Sequence, residues 1–308
     1  MHIEFADYLE AKFPLDERSL NTDVRQACFE RLGRKRGVLH CLDVGTGTGA
    51  MVRRLIDSGL HASFHITALD RDASLLKTGS VAVAAQLERL GYRARSHATG
   101  IEAEHQGRQI RVDWLCRSLF EFEPANSVRY DLITAHGLMD IVPMARTLSL
   151  FRAWLAEQGV LYATLNYDGD TALFPLYRDP AFESAVLAEY DASMERRRVQ
   201  GEATGGARSG RRLHAGLAGT GFGAAAYGSS DWNLTPREGR YRDRDADVLR
   251  TLLCLIRGES EPHTGIDRES LARWYAERSA QLDSGELGMI VHQLDIVATR
   301  RQSLSAFT

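Results

Sequence analysis

Short apolar runs alternate with amphipathic stretches through the first half of the chain. The apolar runs, which have the length of strands, lie at 38–44, 64–70, 112–116, 130–135 and 159–165. Between them, apolar residues at helical spacing predict helices at 50–58, 72–90 and 143–157. Strands that alternate with helices in this way are typical of a parallel sheet covered on both faces.

The two ends of the chain have a different organisation. Helical patterns fill most of the first forty residues and recur near 180–196, 211–217, 244–257 and 268–281. Strands are predicted at 222–227 and 288–299, and the polar stretch 93–109 predicts a hairpin or loop. We therefore expect an α/β fold with a seven-stranded, mostly parallel Rossmann-like sheet and helices on both faces. N-terminal helices precede this sheet, and a helical insertion stands before its last strand.

We interpret this order as one domain with covering segments. Residues 1–35 are predicted to form an N-terminal helical cap, and residues 36–308 form the main domain. Two parts of that domain, 170–215 and 240–283, are expected to cover the substrate. A site that is covered to this extent favours a small molecule as the substrate.

Composition and charge narrow the function classes. The chain has 308 residues, 44% of them hydrophobic and 26% charged, which is average for a globular protein. With 38 basic and 41 acidic residues the net charge is −3, which argues against a dedicated nucleic-acid binder. No apolar run is long enough to span a membrane, and the first residues lack a signal-peptide pattern, so we expect a cytoplasmic protein. The four cysteines are too far apart to predict a metal site or a disulfide framework.

The glycine-rich turn at 45–49 carries the most chemical information. Glycines between a strand and a helix let the backbone approach a ligand, and the helix start offers free N–H donors. This spacing also satisfies the dinucleotide fingerprint, so the glycines alone leave NAD open. Asp43, two residues before the first glycine, would repel a pyrophosphate but would hold an ammonium group. Asp70, at the end of the next strand, is placed to accept the hydroxyls of a ribose, which both ligand classes carry.

The turn LDVGTGTG and the strand end ALD resemble motifs I and II of the class I S-adenosylmethionine-dependent methyltransferases. The segment YDLITAHGLMDIVP stands in the place of their fourth-strand motif, so the resemblance covers about residues 36–166. It implies S-adenosylmethionine as cofactor, with Asp43 and the turn at its amino-acid end, Asp70 at its ribose and Arg71 beside its adenine. The cofactor positions implied are Asp43, Gly45, Thr46, Gly47, Gly49, Asp70, Arg71, Ser118, Leu119 and His136. The family often has an acidic residue after the third strand, which Ser118 or a main-chain group must replace here.

The methyl group of a sulfonium is already activated, so the protein mainly aligns a nucleophile and excludes water. A thioether or tertiary amine needs no base, whereas a hydroxyl, thiol or protonated amine must lose a proton. In this fold the substrate meets the cofactor beyond the carboxyl ends of the strands. The polar residues expected in that zone are His136, Asp140, Asn166, Tyr167 and Asp168.

Three of these residues are candidates for catalysis. His136 follows the fourth strand and would act as a general base, contact the methionine part of the cofactor, or line the pocket as a hydrogen-bonded histidine. Tyr167 would orient the substrate, and Asp168 would neutralise an ammonium group. An ordinary turn, signalled by Asp168 and Gly169, is the alternative for that segment.

Candidates for substrate binding come from two later segments. The arginine-rich and glycine-rich stretch at 196–212 predicts a mobile lid, in which Arg197 and Arg212 would bind a carboxylate or phosphate. A solvated charged face is the alternative for this stretch. Asp231 and Trp232, after the sixth strand, would line the same cavity unless the tryptophan merely anchors its loop.

We therefore predict a methyltransferase acting on a small, anionic or amino-acid-like metabolite, with sulfur, oxygen and nitrogen acceptors all open. The expected partner is this substrate, without nucleic acid or membrane, and a homodimer is left open. An RNA or DNA methyltransferase would use the stretch 196–212 as a phosphate track. Its usual Asn or Asp before Pro-Pro is replaced here by Ala135-His136-Gly137-Leu138. Two further function classes stay open, a regulator that retains the cofactor pocket and a Rossmann NAD-dependent oxidoreductase.

Overall fold

The computed structural model describes residues 4–125 and 128–301. Five parallel strands form the centre of its main sheet, and they lie in the order β5, β2, β1, β6, β7. Their bounds are β1 (Val38–Val44), β2 (Ser63–Asp70), β5 (Arg108–Cys116), β6 (Tyr130–His136) and β7 (Leu155–Phe174). The carboxyl ends of β1, β2, β5 and β6 therefore meet at one edge of the sheet, where the candidate residues follow each strand.

Antiparallel strands extend the sheet on both sides. On one side β3 (Arg93–His97) and β4 (Gly100–His105) form the hairpin predicted for 93–109, and β4 pairs with β5. On the other side β12 (Gly288–Arg300) pairs with β7, and both β10 (Phe222–Ser229) and β11 (Trp232–Leu234) pair with β12. All seven predicted strands are confirmed. The sheet has ten strands rather than seven because β3, β4 and β11 join it.

Nine α-helices occur in the described part of the chain. They are α1 (Phe5–Ser19), α2 (Thr22–Gly33), α3 (Ala50–Ile56), α4 (Ala73–Arg89), α5 (Met144–Trp154), α6 (Pro180–Arg196), α7 (Ser209–Gly219), α8 (Asp245–Ser260) and α9 (Arg268–Asp283). Four of them begin after an Asn or Asp whose side chain accepts from a backbone N–H of the first turn: Asn21, Asp72, Asp179 and Asp267. Such caps explain why these helices start where they do. None of the helices described is both long enough and apolar enough to cross a membrane.

Two apolar layers cover the faces of the sheet. Helices α2, α3 and α4 pack on the face that carries Leu39 and Cys41 of β1. Helices α5 and α7 pack on the opposite face, which carries Leu42 and Val44 of the same strand. Because both faces of the central strands are buried, these strands are apolar along nearly their whole length.

A third apolar cluster lies outside these layers. It combines α1, α6, α8 and α9 with the part of β7 beyond its last pair with β6. A buried ion pair between Arg278 and Glu183, 2.6 to 2.8 Å apart, joins α9 to α6, and the Trp274 indole also donates to Glu183. Of the two N-terminal helices only α1 belongs to this cluster, because the apolar side of α2 faces the strands.

The glycine-rich stretch after α6 begins as an exposed hairpin and then packs closely against the rest of the chain from Gly205 onward. It forms a short hairpin, β8 (Arg198–Val199) with β9 (Glu202–Ala203), and then a 3₁₀ turn at Gly206–Arg208. The N–H groups of Gly205 and Gly206 donate to the carbonyls of Val142 and Asp140, in the loop that follows β6. A Cβ atom at Gly205 would lie 2.0 Å from the carbonyl oxygen of Met139. The prediction of a mobile lid misread these glycines, which allow close packing.

Candidate functional site

The glycine turn is bound to the end of the neighbouring strand. Gly45, Gly47 and Gly49 have φ angles of 67°, 53° and 75°, which favour glycine over any other residue. The N–H groups of Gly45 and Thr46 donate to the Leu69 carbonyl at 2.9 and 3.0 Å. The N–H of Gly47 donates to Oδ2 of Asp70 at 2.8 Å. The turn and the Asp70 carboxylate thus form one surface at the carboxyl edge of the sheet.

Asp43 lies beneath this turn and is only 1% exposed. Its carboxylate accepts hydrogen bonds from the hydroxyls of Thr46 at 2.5 Å and Thr134 at 2.6 Å. Burial raises the pKa of Asp43 to about 6, although both hydroxyls favour its charged form. Because it is buried and bound to Thr46, the Asp43 carboxylate shapes the turn and would affect a ligand above it through its charge rather than by direct contact.

The residues expected near adenine lie beside Asp70. Strands β2 and β5 end together, with Asp70 paired to Cys116, and the N–H of Arg117 donates to the Asp70 carbonyl at 2.8 Å. Arg71 is exposed. Ser118 caps the 3₁₀ turn at Leu119–Glu121, where its Oγ accepts from the N–H of Phe120 at 3.3 Å. The Ser118 hydroxyl retains its own proton for donation, while Leu119 is buried and supplies an apolar contact.

Two leucines cover the turn. A Cβ atom at Gly47 would lie 3.0 Å from Leu9 of α1, and one at Gly45 would lie 2.9 Å from Leu138. A side chain at either position would therefore displace these neighbours. The turn backbone has no side chains at its glycines, Asp70 offers hydrogen-bond acceptors, and Asp43 carries a negative charge. Together these features fit a nucleoside that carries a ribose and an ammonium group.

A buried carboxylate, Asp16 of α1, organises the space beyond β6. Its oxygens accept from Nε2 of His136 at 3.1 Å and from the indole N–H of Trp232 at 3.0 Å, and it also pairs with Lys12. Burial disfavours the charged form of Asp16, but Lys12 and His136 outweigh burial and hold its pKa below the ordinary value. Asp16 was not predicted from sequence, because its partners lie 120 and 216 residues away in the chain.

His136 is held on both ring nitrogens. Nε2 lies 3.1 Å from the Asp16 carboxylate and 3.3 Å from Nη1 of Arg54, and Nδ1 lies 2.7 Å from the Thr164 hydroxyl. Burial, helped by the charge of Arg54, lowers the pKa of His136 to about 3. This arrangement favours the reading of His136 as a hydrogen-bonded pocket residue over that of a general base.

Tyr167 and Asp168 lie inside β7, not in a turn after it. The register between β7 and β12 shifts here, so that residues 168–170 bulge opposite His292. Asp168 accepts from the backbone N–H and the Nε of Arg211, both at 2.8 Å, which fastens the start of α7. The Tyr167 hydroxyl donates to Asp191 of α6 at 2.7 Å. Both side chains therefore join β7 to neighbouring helices, Tyr167 to α6 and Asp168 to α7.

Most arginines of the 196–212 stretch, including Arg197 and Arg212, lie against carboxylates of this chain. Arg212 donates to both oxygens of Glu195 at 2.8 and 3.0 Å and is 45% exposed. Arg197 lies 3.6 Å from Glu259 of α8 and is less exposed, at 33%. The structure thus places Arg212 on the surface and Arg197 nearer to the third apolar cluster.

Asp231 and Trp232 lie next to each other but have different surroundings. Asp231 accepts from the Ser229 hydroxyl at 2.7 Å and lies 2.8 Å from Nδ1 of His292. Burial opposes ionisation of Asp231, but these partners hold its pKa below the ordinary value. Trp232 is buried and points at Asp16, so it lines the same space as His136. Within residues 4–125 and 128–301, no three His, Cys, Asp or Glu side chains converge as metal ligands.

Comparisons with known proteins support the fold. No protein-family model matches the sequence, and no curated protein was found to match it. A solved structure from Bacillus halodurans C-125, provisionally described as a methyltransferase, is 13% identical. It covers 92% of this chain and 100% of its own, with a TM-score of 0.50.

Two further structures are weaker likenesses and add no support. One, from Galdieria sulphuraria and provisionally described as a sarcosine dimethylglycine methyltransferase, is 14% identical over 98% of this chain and 92% of its own, with a TM-score of 0.44. The other, the N-methyltransferase NodS of Bradyrhizobium japonicum, is 11% identical over 93% and 97%, with a TM-score of 0.43. The chain therefore has the Rossmann-like α/β fold that the Bacillus halodurans structure also has.

Proposed function

We propose that this protein is an S-adenosylmethionine-dependent methyltransferase that acts on a small, amino-acid-like metabolite. One observation carries the proposal. At the carboxyl edge of a parallel sheet, a glycine turn lies between two aspartates. Asp43 is buried beneath the turn, and Asp70, the last residue of β2, accepts a hydrogen bond from it. This combination suits a cationic nucleoside and disfavours a pyrophosphate.

The residues of this chain would hold the cofactor in two places. Asp70, which now accepts from the Gly47 N–H, would hold the ribose hydroxyls, and the Gly47 N–H would then be free for the amino-acid end. Ser118, Leu119 and Arg71 would border the adenine. When bound, the cofactor supplies a methyl group that needs no further activation. The protein's task is then to align the acceptor at about 3 Å and to exclude water.

The covering elements supply that exclusion in our proposal. Helix α1 lies over the glycine turn through Leu9, and the segments 170–215 and 240–283 contribute α6, α8 and α9 to the same apolar cluster. Arg197, at the end of α6, is the cation best placed to take an acceptor carboxylate, in exchange for Glu259. Arg212 is the weaker candidate, because it would have to break its two hydrogen bonds to Glu195 before it could bind an acceptor carboxylate.

Calorimetric titration tests the cofactor directly. We expect S-adenosylmethionine and S-adenosylhomocysteine to bind, and NAD and NADH not to bind, because Asp43 repels their pyrophosphate. A screen of amino acids and related metabolites for release of S-adenosylhomocysteine then tests the activity. Binding of NAD without either sulfur nucleoside would replace the proposal with an oxidoreductase, and cofactor binding without any turnover would favour a regulator.

A further inference from the structure

A cavity of about 570 Å³ lies where the end of α1, strand β11 with the loop after it, and the start of α8 meet. Side chains alternate between the two sides of a strand. Trp232 of β11 is buried and donates to Asp16, whereas its neighbours Asp231 and Asn233 line the cavity. Strand β11 therefore stands between this cavity and the buried polar side chains around His136. The volume suits a small molecule.

Two arginines project from a tight hairpin into the lining of this cavity. Arg237 and Arg240 exchange both backbone hydrogen bonds, at 2.9 and 3.0 Å. The two residues between them, Glu238 and Gly239, have φ angles of 50° and 73°, as a two-residue hairpin turn of this kind requires. Residues directly opposite each other in such a pair have their side chains on the same side. Both guanidinium groups are thus brought to one place, and both residues line the cavity.

The hairpin is fastened to the rest of the molecule. A Cβ atom at Gly285, in the turn after α9, would lie 2.1 Å from the carbonyl oxygen of Gly239, so the hairpin tip packs directly on that turn. Beyond the hairpin, the Tyr241 hydroxyl donates to the Leu287 carbonyl at 2.7 Å. The backbone that carries the two arginines is therefore held in position before any ligand arrives, which lowers the entropy lost on binding.

The charges that line the cavity are not balanced. Four arginines and two aspartates contribute to the lining: Arg18, Arg237, Arg240, Arg242, Asp231 and Asp245. Arg18 pairs with Asp245, Arg242 lies 3.4 Å from Asp243, and Asp231 is bound to Ser229 and His292. In the part of the chain that the structure describes, Arg237 and Arg240 have no carboxylate partner. Because like charges directly opposite each other repel, an anion that contacted both would remove the repulsion.

The inner wall offers one donor and one acceptor. Nη1 of Arg18 and Oδ1 of Asp245 are both buried, and among the described residues neither has a hydrogen-bond partner, although Nη1 lies 3.5 Å from Asp243. The Asp245 side chain is only 3% exposed. Buried polar atoms nearly always have a partner in folded proteins. A ligand that carries an anionic oxygen and a hydroxyl group would satisfy both atoms.

We propose that this cavity binds the phosphate ester of a small hydroxylated molecule, with the phosphate between Arg237 and Arg240. The hydroxylated part would reach Arg18 and Asp245. A phosphate ester carries a charge of about −2 at pH 7, which matches the two unpaired guanidinium groups, and its oxygens accept from arginine in pairs. The inference does not depend on the proposed function, because it concerns neither the glycine turn nor the residues around His136.

Calorimetric titration without any cofactor tests the inference with four matched probes, which are glycerol 3-phosphate, propyl phosphate, glycerate and glycerol. Glycerol 3-phosphate should bind roughly tenfold more tightly than propyl phosphate, which lacks the hydroxyls for Asp245. It should exceed glycerate by a similar factor, because a carboxylate carries only one charge. Glycerol should not bind. Equal binding of glycerate or of propyl phosphate, or no binding of glycerol 3-phosphate, would overturn the inference.

Variants test the hairpin arginines. Both are exposed, so the double variant Arg237→Ala, Arg240→Ala should fold normally, and its affinity for glycerol 3-phosphate should fall at least tenfold. The double variant Arg93→Ala, Arg95→Ala is the matched control, because it removes the same charge from the sheet edge formed by β3. It should bind glycerol 3-phosphate as the wild type does. An undiminished affinity in the first variant, or equal losses in both, would overturn the assignment of the phosphate to this cavity.

Discussion

Asp70 joins the glycine turn to the second strand, and its two carboxylate oxygens already accept from the backbone N–H groups of Gly47 and Asp72. The same oxygens are the ones that the ribose would use. We expect Asp70→Ala to weaken binding of S-adenosylhomocysteine by about 1–3 kcal/mol, the usual effect of losing charged hydrogen bonds. Isothermal titration measures this directly.

A matched control lies at the other end of α3. Asp57 is an exposed aspartate that follows the last residue of that helix, at the end opposite the glycine turn. Asp57→Ala should leave the affinity unchanged. An equal loss of affinity in both variants would mean that Asp70 acts only through the general charge of the protein.

His136 makes the stability of the protein depend on pH. Its pKa is about 3 in the folded protein, below the usual value, so the neutral form is favoured by folding. The stability that this contributes is complete above about pH 6.5 and is lost as the pH falls towards 3. Between pH 7 and pH 5 the loss amounts to about 2 kcal/mol.

The variant His136→Asn isolates this effect. Asp43, Asp140 and Asp295 have pKa values raised to about 6 by burial, so they act in the opposite direction, but they are present in both proteins. Urea unfolding at pH 7 and pH 5 should show a larger acid loss in the wild type than in the variant. Equal losses would show that the histidine is not held neutral in the folded protein.

At the scale of elements, the contacts that attach α1 to the rest of the molecule differ in how much each is expected to contribute to the free energy of unfolding. Asp16 is buried and gathers donors from Lys12, His136 and Trp232, whereas Asp7 on the same helix pairs with Arg244 at the surface. We expect Asp16→Ala to lower the free energy of unfolding by about 3–5 kcal/mol, because it leaves buried donors unpaired. Asp7→Ala should cost less than about 1 kcal/mol. If denaturant unfolding gave similar losses of unfolding free energy for both variants, Asp16 would not be the main attachment of α1.

Two arginines of the 196–212 stretch, Arg197 and Arg212, should have different effects on the kinetics. Arg197 lies 3.6 Å from Glu259 of α8, beside the third apolar cluster, and Arg212 is bound to Glu195 at the surface. With an amino-acid acceptor, Arg197→Ala should raise the KM for the acceptor about tenfold, the equivalent of roughly 1.4 kcal/mol. Arg212→Ala should change it less than twofold. If Arg212→Ala raised the KM more than Arg197→Ala did, the result would support the mobile lid that was predicted from the sequence.

Elements with a strong local signal were predictable from the sequence. Helix α6 was predicted with the bounds that the structure shows, since a capping Asp179 and a proline mark its start. Strand β7 was predicted to end near residue 165 but runs to Phe174, because its pairing with β12 outweighs the local Asp-Gly signal. Strand β11 is only three residues long, and it also depends on pairing with β12, which no local pattern reports.

For the whole molecule, the sheet and its glycine turn could be predicted from the sequence, but the cluster of buried polar side chains around Asp16 could not. The turn chemistry is contained in nine consecutive residues, from Leu42 to Ala50. The cluster combines Asp16 of α1, His136 at the end of β6 and Trp232 of β11, which come together only in the folded chain. Asp16 therefore had no recognisable signal.

The position of Leu9 over Gly47, where a Cβ atom would lie 3.0 Å from the leucine, has a kinetic consequence for the proposed binding mode. A nucleoside bound against this backbone would require α1 to move outward, and α1 is held by Asp16 and by the pair of Arg53 with Glu10. Association should therefore be paced by this opening, and in stopped-flow mixing the observed rate should level off as ligand concentration rises. Leu9→Ala should raise the plateau. An observed rate that stays proportional to the ligand concentration would mean that the ligand enters without any movement of α1.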